Sequence, residues 1–175
     1  QLGDVMSESV ETAISYIRTR ADELGIAKEA FERYDLHIHL PAGAIKKDGP
    51  SAGVALAAAI ASLLSRRPVR HDIACTGEVT LRGRVLAVGG IKTKVLAAHR
   101  AGIKMVLLPE RNRKDLEDIP ESVREDMEIN FVSTASEAFE FLLGEPAKES
   151  DGHSAYLPDL PPTGSDEKRV DLQRA

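Results

Sequence analysis

A chain of 175 residues with 42% hydrophobic and 29% charged side chains is long enough for one domain with a real core, plus a tail. A net charge of −5 excludes nucleic-acid binding through a broadly basic surface. Aromatic content of 4% without Trp excludes base-stacking platforms, and the single cysteine, Cys75, excludes an internal disulfide and a cysteine-rich zinc site. The longest apolar run, 54–61, falls far short of the about 20 residues of a membrane-spanning helix.

The start at Gln1 instead of Met reads as a processed product or a piece of a longer chain. Asp4, Glu8 and Glu11, with no apolar stretch around them, do not fit a signal peptide. Met6, Val10, Ala13, Ile14, Ile17, Ala21 and Leu24 recur at steps of three and four, which predicts an amphipathic helix stopped by Gly25. Leu36, Ile38 and Leu40 alternate with Asp35, His37 and His39, the pattern of a strand with one apolar face. Residues 41–50 hold Pro, Gly and a charged cluster and read as a loop. From Ser51 to about Ser65 an Ala/Leu/Ile stretch predicts a buried helix ended before Pro68.

Short strands are predicted at 73–75, 79–81 and 85–88, around Gly77 and Gly83. Gly89-Gly90 precedes a helix over 91–101, stopped at Gly102. A strand at 105–108 ends at Pro109, Asn112 is placed to cap a short helix over 114–118, and 129–132 forms a further strand. Thr134 with Glu137 fits a capping box for a last helix ending at Leu143-Gly144. Residues 145–175 are proline-rich and net acidic without apolar periodicity, which predicts a disordered tail. Helices mixed with short strands make the body, 1–144, an α+β (mixed α/β) domain around a buried helix.

Two segments could carry chemistry. In Lys47-Asp48-Gly49-Pro50-Ser51-Ala52-Gly53, a serine stands where a glycine-rich loop enters a helix. Backbone N–H groups at that turn, those of Ser51 and Ala52, could hold an oxyanion. Ser51 could equally serve only as a helix cap. A phosphate loop does not fit, because GxxxxGK[ST] is absent here. In Gly89-Gly90-Ile91-Lys92-Thr93-Lys94, the lysine at 94 is followed by Val95, Leu96, Ala97 and Ala98. Burial in such company lowers a lysine's pKa towards the range of a general base. A snorkelling surface lysine is the alternative. His37 and His39 share one strand face and could bind metal, but no third ligand stands at a sensible spacing. A triad of Ser51, Asp48 and a histidine is possible in principle, and nothing in the spacing selects the histidine. Thr76 could orient a base or be an ordinary strand residue, and Cys75 reads as an inert thiol.

With these motifs in place, the sequence closely resembles the proteolytic domain of Lon, the ATP-dependent protease. The likeness runs over about residues 1–143, through QLGDVMSESVETA, DLHIHLPAGAIKKDGPSAG and TGEVTLRGRVLAVGGIKTKVLAAHRAGIK in that order. It implies a serine endopeptidase with a Ser-Lys dyad: Ser51 as nucleophile, Lys94 rather than Lys92 as base, and Thr76 in support of the lysine. His37 and His39 become structural or supporting groups. Asp48 takes the position of an acid that in some relatives faces the dyad and holds it inactive. The resemblance also implies unfolded polypeptide substrates, a hexameric ring and a cytoplasmic location. No metal or cofactor enters peptide cleavage. ATP and magnesium belong to an upstream ATPase part, since no Walker motif is present in this chain. A non-catalytic, ring-forming Lon-like module is the alternative implied by the same likeness. The sequence departs from the common family pattern at Ile45-Lys46, at Ala87 and at Cys75, none of which touches Ser51 or Lys94.

Overall fold

The computed structural model describes residues 3–27, 29–41 and 48–145. Most of the loop expected at 41–50, and the tail after 145, lie outside the described residues.

The central strand β4 (Met105–Pro109) is five apolar residues with no polar alternation, the signature of a strand covered on both faces. It pairs in parallel with β1 (Ile73–Cys75), where Cys75 lies opposite Leu107. On its other side it pairs in parallel with β5 (Glu128–Val132), where Pro109 lies opposite Val132. Successive side chains of a strand point to opposite faces, so β4 feeds two cores. Leu107 enters one with helices α1 (Asp4–Thr19), α3 (Gly53–Ser65) and α6 (Ala135–Leu142). Val106 and Leu108 enter the other with α4 (Ile91–Arg100), α5 (Glu121–Asp126), Ile119 and Met127. The domain is α+β, a short parallel sheet between two helical layers.

In the larger core α1 packs on α3, α1 contributing Ala13 and Ile17 and α3 contributing Ala57, Ala58 and Ala61. Tyr16 is 1% exposed and its hydroxyl is hydrogen-bonded to Ser136 Oγ at 3.0 Å. Its ring lies where a Cβ on Gly83 would stand, and Gly83 has φ +75°, so both space and backbone require glycine there. Gly83 belongs to the turn between β2 (Glu78–Val79) and β3 (Val85–Leu86), an antiparallel hairpin. The hairpin is tied to the start of α6 by Val85 N–H to Ser133 O and Ala135 N–H to Gly83 O, each 2.8 Å.

Several sequence expectations are corrected. The first helix stops at Thr19, and 20–25 continue as turns before Gly25 at φ +68°. Apolar spacing persisted there because Ala21 and Leu24 still pack on the core. Residues 36–40 form no strand. Their alternation is real as exposure, with His37 and His39 outward and Leu36, Ile38 and Leu40 packed inward, but no ladder partner exists among the described residues. Periodicity reports burial, not hydrogen bonding. The helix expected from Ser51 opens with a 3-10 turn, Pro50–Ala52, and α3 starts at Gly53. Leu81 is not in β2 but 62% exposed in the hairpin turn. Residues 110–118 form one 3-10 helix starting at Glu110, so Asn112 lies inside it and caps nothing. Helix α2 (Ala30–Arg33) and α5 were not expected, being too short to show a period. The capping box of α6 is present, with Glu137 N–H on Thr134 Oγ1 at 3.2 Å. Among the described residues no helix is long and apolar enough to cross a membrane.

Candidate active site

The turn carrying Ser51 is fixed by what borders it. Gly49 enters at φ +122°, and Pro50 supplies the first turn position, where its missing N–H costs nothing. The Ser51 carbonyl accepts two hydrogen bonds, from Gly77 N–H (3.0 Å) and from the Thr76 hydroxyl (3.1 Å). Val54 N–H returns the exchange to Gly77 O at 3.0 Å. Gly53 makes this closeness possible: a Cβ there would stand 2.7 Å from Val79 N and 3.1 Å from Gly77 O. Thr76 is itself buried, and its N–H is donated to Leu107 O on β4. The serine is therefore strapped to the carboxyl end of the parallel sheet, where ligand sites of such sheets gather. Its side chain is half-exposed above that strap.

Lys94 lies in the first turn of α4, between Ile91 and the fully buried Val95. Lys92 is exposed, whereas Lys94 is half-buried and donates its Nζ to Gly89 O at 2.8 Å. Desolvation holds its pKa below the ordinary 10.5. Ser51 and Lys94 are not hydrogen-bonded to each other here. Each is braced at the carboxyl end of the sheet: Ser51 by the residues after β1, and the segment leading to Lys94 by Asn112, three residues past the end of β4. Catalytic contacts commonly close only when substrate binds.

The remaining expected residues fall elsewhere. The Asp48 carboxylate accepts Met6 N–H (3.1 Å) and Gly49 N–H (3.0 Å) through Oδ1. Helix α1 has Gly3 at its N-cap and no side-chain cap of its own, so Asp48 supplies one from 42 positions away. A Cβ on Gly3 would land on that carboxylate. Thr76 serves the Ser51 backbone. His37 and His39 are exposed on the outer side of the extended segment. Burial pushes the Cys75 thiol up to about 11. Sequence reading missed the roles of Asn112, Gly3 and Gly53, because spacing alone carries no sign of which distant backbone a side chain will meet.

The family model of the Lon protease (S16) C-terminal proteolytic domain matches residues 1–145. The chain is 64% identical over 132 residues to the Lon protease of Desulforamulus reducens, covering 75% of this chain and 16% of that protein. It is 55% identical over 150 residues to the Lon protease of Dictyoglomus thermophilum, covering 86% and 19%. Against the Lon protease of Anaeromyxobacter dehalogenans it is 51% identical over 180 aligned positions, covering 97% and 21%. The chain belongs to the family of the Lon protease C-terminal proteolytic domain. It spans only about a fifth of the length of these relatives.

Proposed function

We propose that the chain is a serine endopeptidase in which Ser51 is the nucleophile and Lys94 its general base. One observation carries the assignment: the Lys94 amine, its pKa lowered by partial burial, is held at Gly89 O, while the Ser51 turn is strapped by Thr76 at the carboxyl end of the sheet. A hydroxyl is a weak nucleophile until a neighbouring base takes its proton, and a lysine can do so only when its neutral form is accessible. Neutral Lys94 removes the Ser51 proton as Oγ attacks a peptide carbonyl, and backbone N–H groups of the Ser51–Ala52 turn receive the oxyanion. The protonated lysine gives its proton to the leaving amine as the C–N bond breaks. Water, deprotonated by the same lysine, then cleaves the acyl-enzyme and regenerates the Ser51 hydroxyl. Thr76 contributes by holding the Ser51 carbonyl.

Unfolded polypeptides are the substrates that fit this reading. In the whole protein the domain works in a hexameric ring, in the cytoplasm, fed by an ATP- and magnesium-dependent part upstream; the family resemblance and the length of the relatives support this. The test is hydrolysis of an unstructured fluorogenic peptide without ATP by wild type, Ser51→Ala and Lys94→Ala, with circular dichroism on all three. Both variants are expected to lose activity by roughly 100-fold or more with unchanged spectra. Wild-type rates in either variant would overturn the assignment of that residue.

A further inference from the structure

Thr76 and Asn112 are polar side chains buried beside the candidate site. Thr76 holds the backbone of Ser51. Asn112, 3% exposed, spends its amide on one distant residue: its Oδ1 accepts Val88 N–H at 3.0 Å and its Nδ2 donates to Val88 O at 2.9 Å. This two-way exchange copies one rung of an antiparallel ladder just where β3, which ends at Leu86, has run out of strand partner. The second Nδ2 proton goes to the Asp115 carboxylate, which sets the amide's orientation, since a flipped amide would face that carboxylate with its own oxygen.

The residue after Val88 is Gly89, whose carbonyl receives Lys94 Nζ. Gly89 and Gly90 have no side chains, and open space surrounds the position of a Cβ on each, so no side-chain packing steadies this stretch. Downstream it is held where Gly90 O accepts Lys94 N–H at 3.0 Å, and upstream it is held at Val88. We propose that Asn112 is a positioning residue for Lys94: by clamping Val88 it fixes the Gly89 carbonyl at which the lysine amine is set. The proposal rests on the Ser51–Lys94 reading of the site.

The test compares wild type, Asn112→Ala and Lys94→Ala on the whole 175-residue chain. It measures kcat and KM on the unstructured peptide, the folded fraction by thermal melting, and the Lys94 Cε resonance in protein carrying 13C-labelled lysine. Asn112→Ala is expected to lower kcat by about tenfold or more, to leave KM within about twofold, and to move the Lys94 resonance to the position of a solvated lysine. If Asn112→Ala does not fold, Asn112→Asp with Asp115→Asn replaces it. That pair keeps the acceptor for Val88 N–H and an amide-to-carboxylate bond between the two positions, and sets a carboxylate oxygen against Val88 O in place of the donor, so a lowered kcat is expected. A kcat unchanged, or falling only in step with the folded fraction while the Lys94 resonance stays in place, overturns the proposal. Loss of activity in Lys94→Ala alongside that result leaves the Ser51–Lys94 reading standing. Full activity in Lys94→Ala overturns that reading, and the positioning role with it.

Discussion

Gly53→Ala sets two physical effects against each other at the turn beside Ser51. Gly53 sits at φ −53° and ψ −45°, ordinary helical geometry, so alanine gains about 1 kcal/mol of helix propensity over glycine. Against this, the new Cβ would stand 2.7 Å from Val79 N and 3.1 Å from Gly77 O, where carbon contacts settle at roughly 3.5 Å or beyond. Both obstacles are backbone atoms of the segment that straps Ser51, so neither can swing aside like a side-chain end. Overpacking of this kind costs about 1–3 kcal/mol. Separation of α3 from 77–79 also stretches the bonds linking Val54, Gly77, Thr76 and Ser51, and losing one costs about 1 kcal/mol more.

The balance is a net destabilisation of about 1–3 kcal/mol, a fall in Tm of roughly 3–10 °C for a domain of this size. Because the displaced atoms hold the serine, kcat on the peptide should fall by about tenfold or more. Differential scanning calorimetry gives the first quantity and peptide hydrolysis the second. A Tm equal to or above wild type with full activity would refute the reasoning: propensity would have won, and Ser51 would not depend on the close approach at Gly53.

The borrowed cap on α1 predicts that Asp48→Ala loses about 1 kcal/mol and speeds amide exchange at Met6, with exchange at Ala13–Ile17 unchanged. Asp48→Asn, which keeps an acceptor oxygen, should lose less, and unaltered exchange at Met6 in Asp48→Ala would show that the cap is not held in solution. Burial raises the Cys75 pKa from 9.0 to about 11, so the fold favours the protonated thiol. That contribution is complete below the unfolded value and is lost as pH climbs from 9.0 towards about 11. In urea titrations the stability difference between wild type and Cys75→Ala should therefore drift with pH across that window and stay flat below it, and a drift confined to lower pH would contradict the assignment.

The legible parts of the fold were those whose information is local. The apolar run at 105–108 announced the strand β4, and the Thr134–Glu137 pair announced the start of α6 within four residues. The alternation at 36–40 was also read correctly as a buried and an exposed face. It failed as a strand because a ladder needs a second backbone, which no local pattern encodes. Asn112 was misjudged for the same reason. Asparagine early in a polar stretch fits a cap, and only the packing of the 110–118 helix against the end of β3 turns it to Val88.

Sequence by itself determined the chemistry available to this protein: a serine between Pro50 and Ala52, a lysine followed by four apolar residues, and the motif order that marks the family. Those are properties of residue identity and spacing. Tertiary structure alone decided which groups hold that chemistry in place. Thr76 grips the Ser51 carbonyl, Asp48 turns to the first turn of α1, and Asn112 clamps Val88 in the segment before Lys94, each across 24 to 42 positions of chain. Such bonds form because a buried polar group must find a partner, and which partner lies within 3 Å or so is settled by how helices and sheet pack, not by neighbours in sequence.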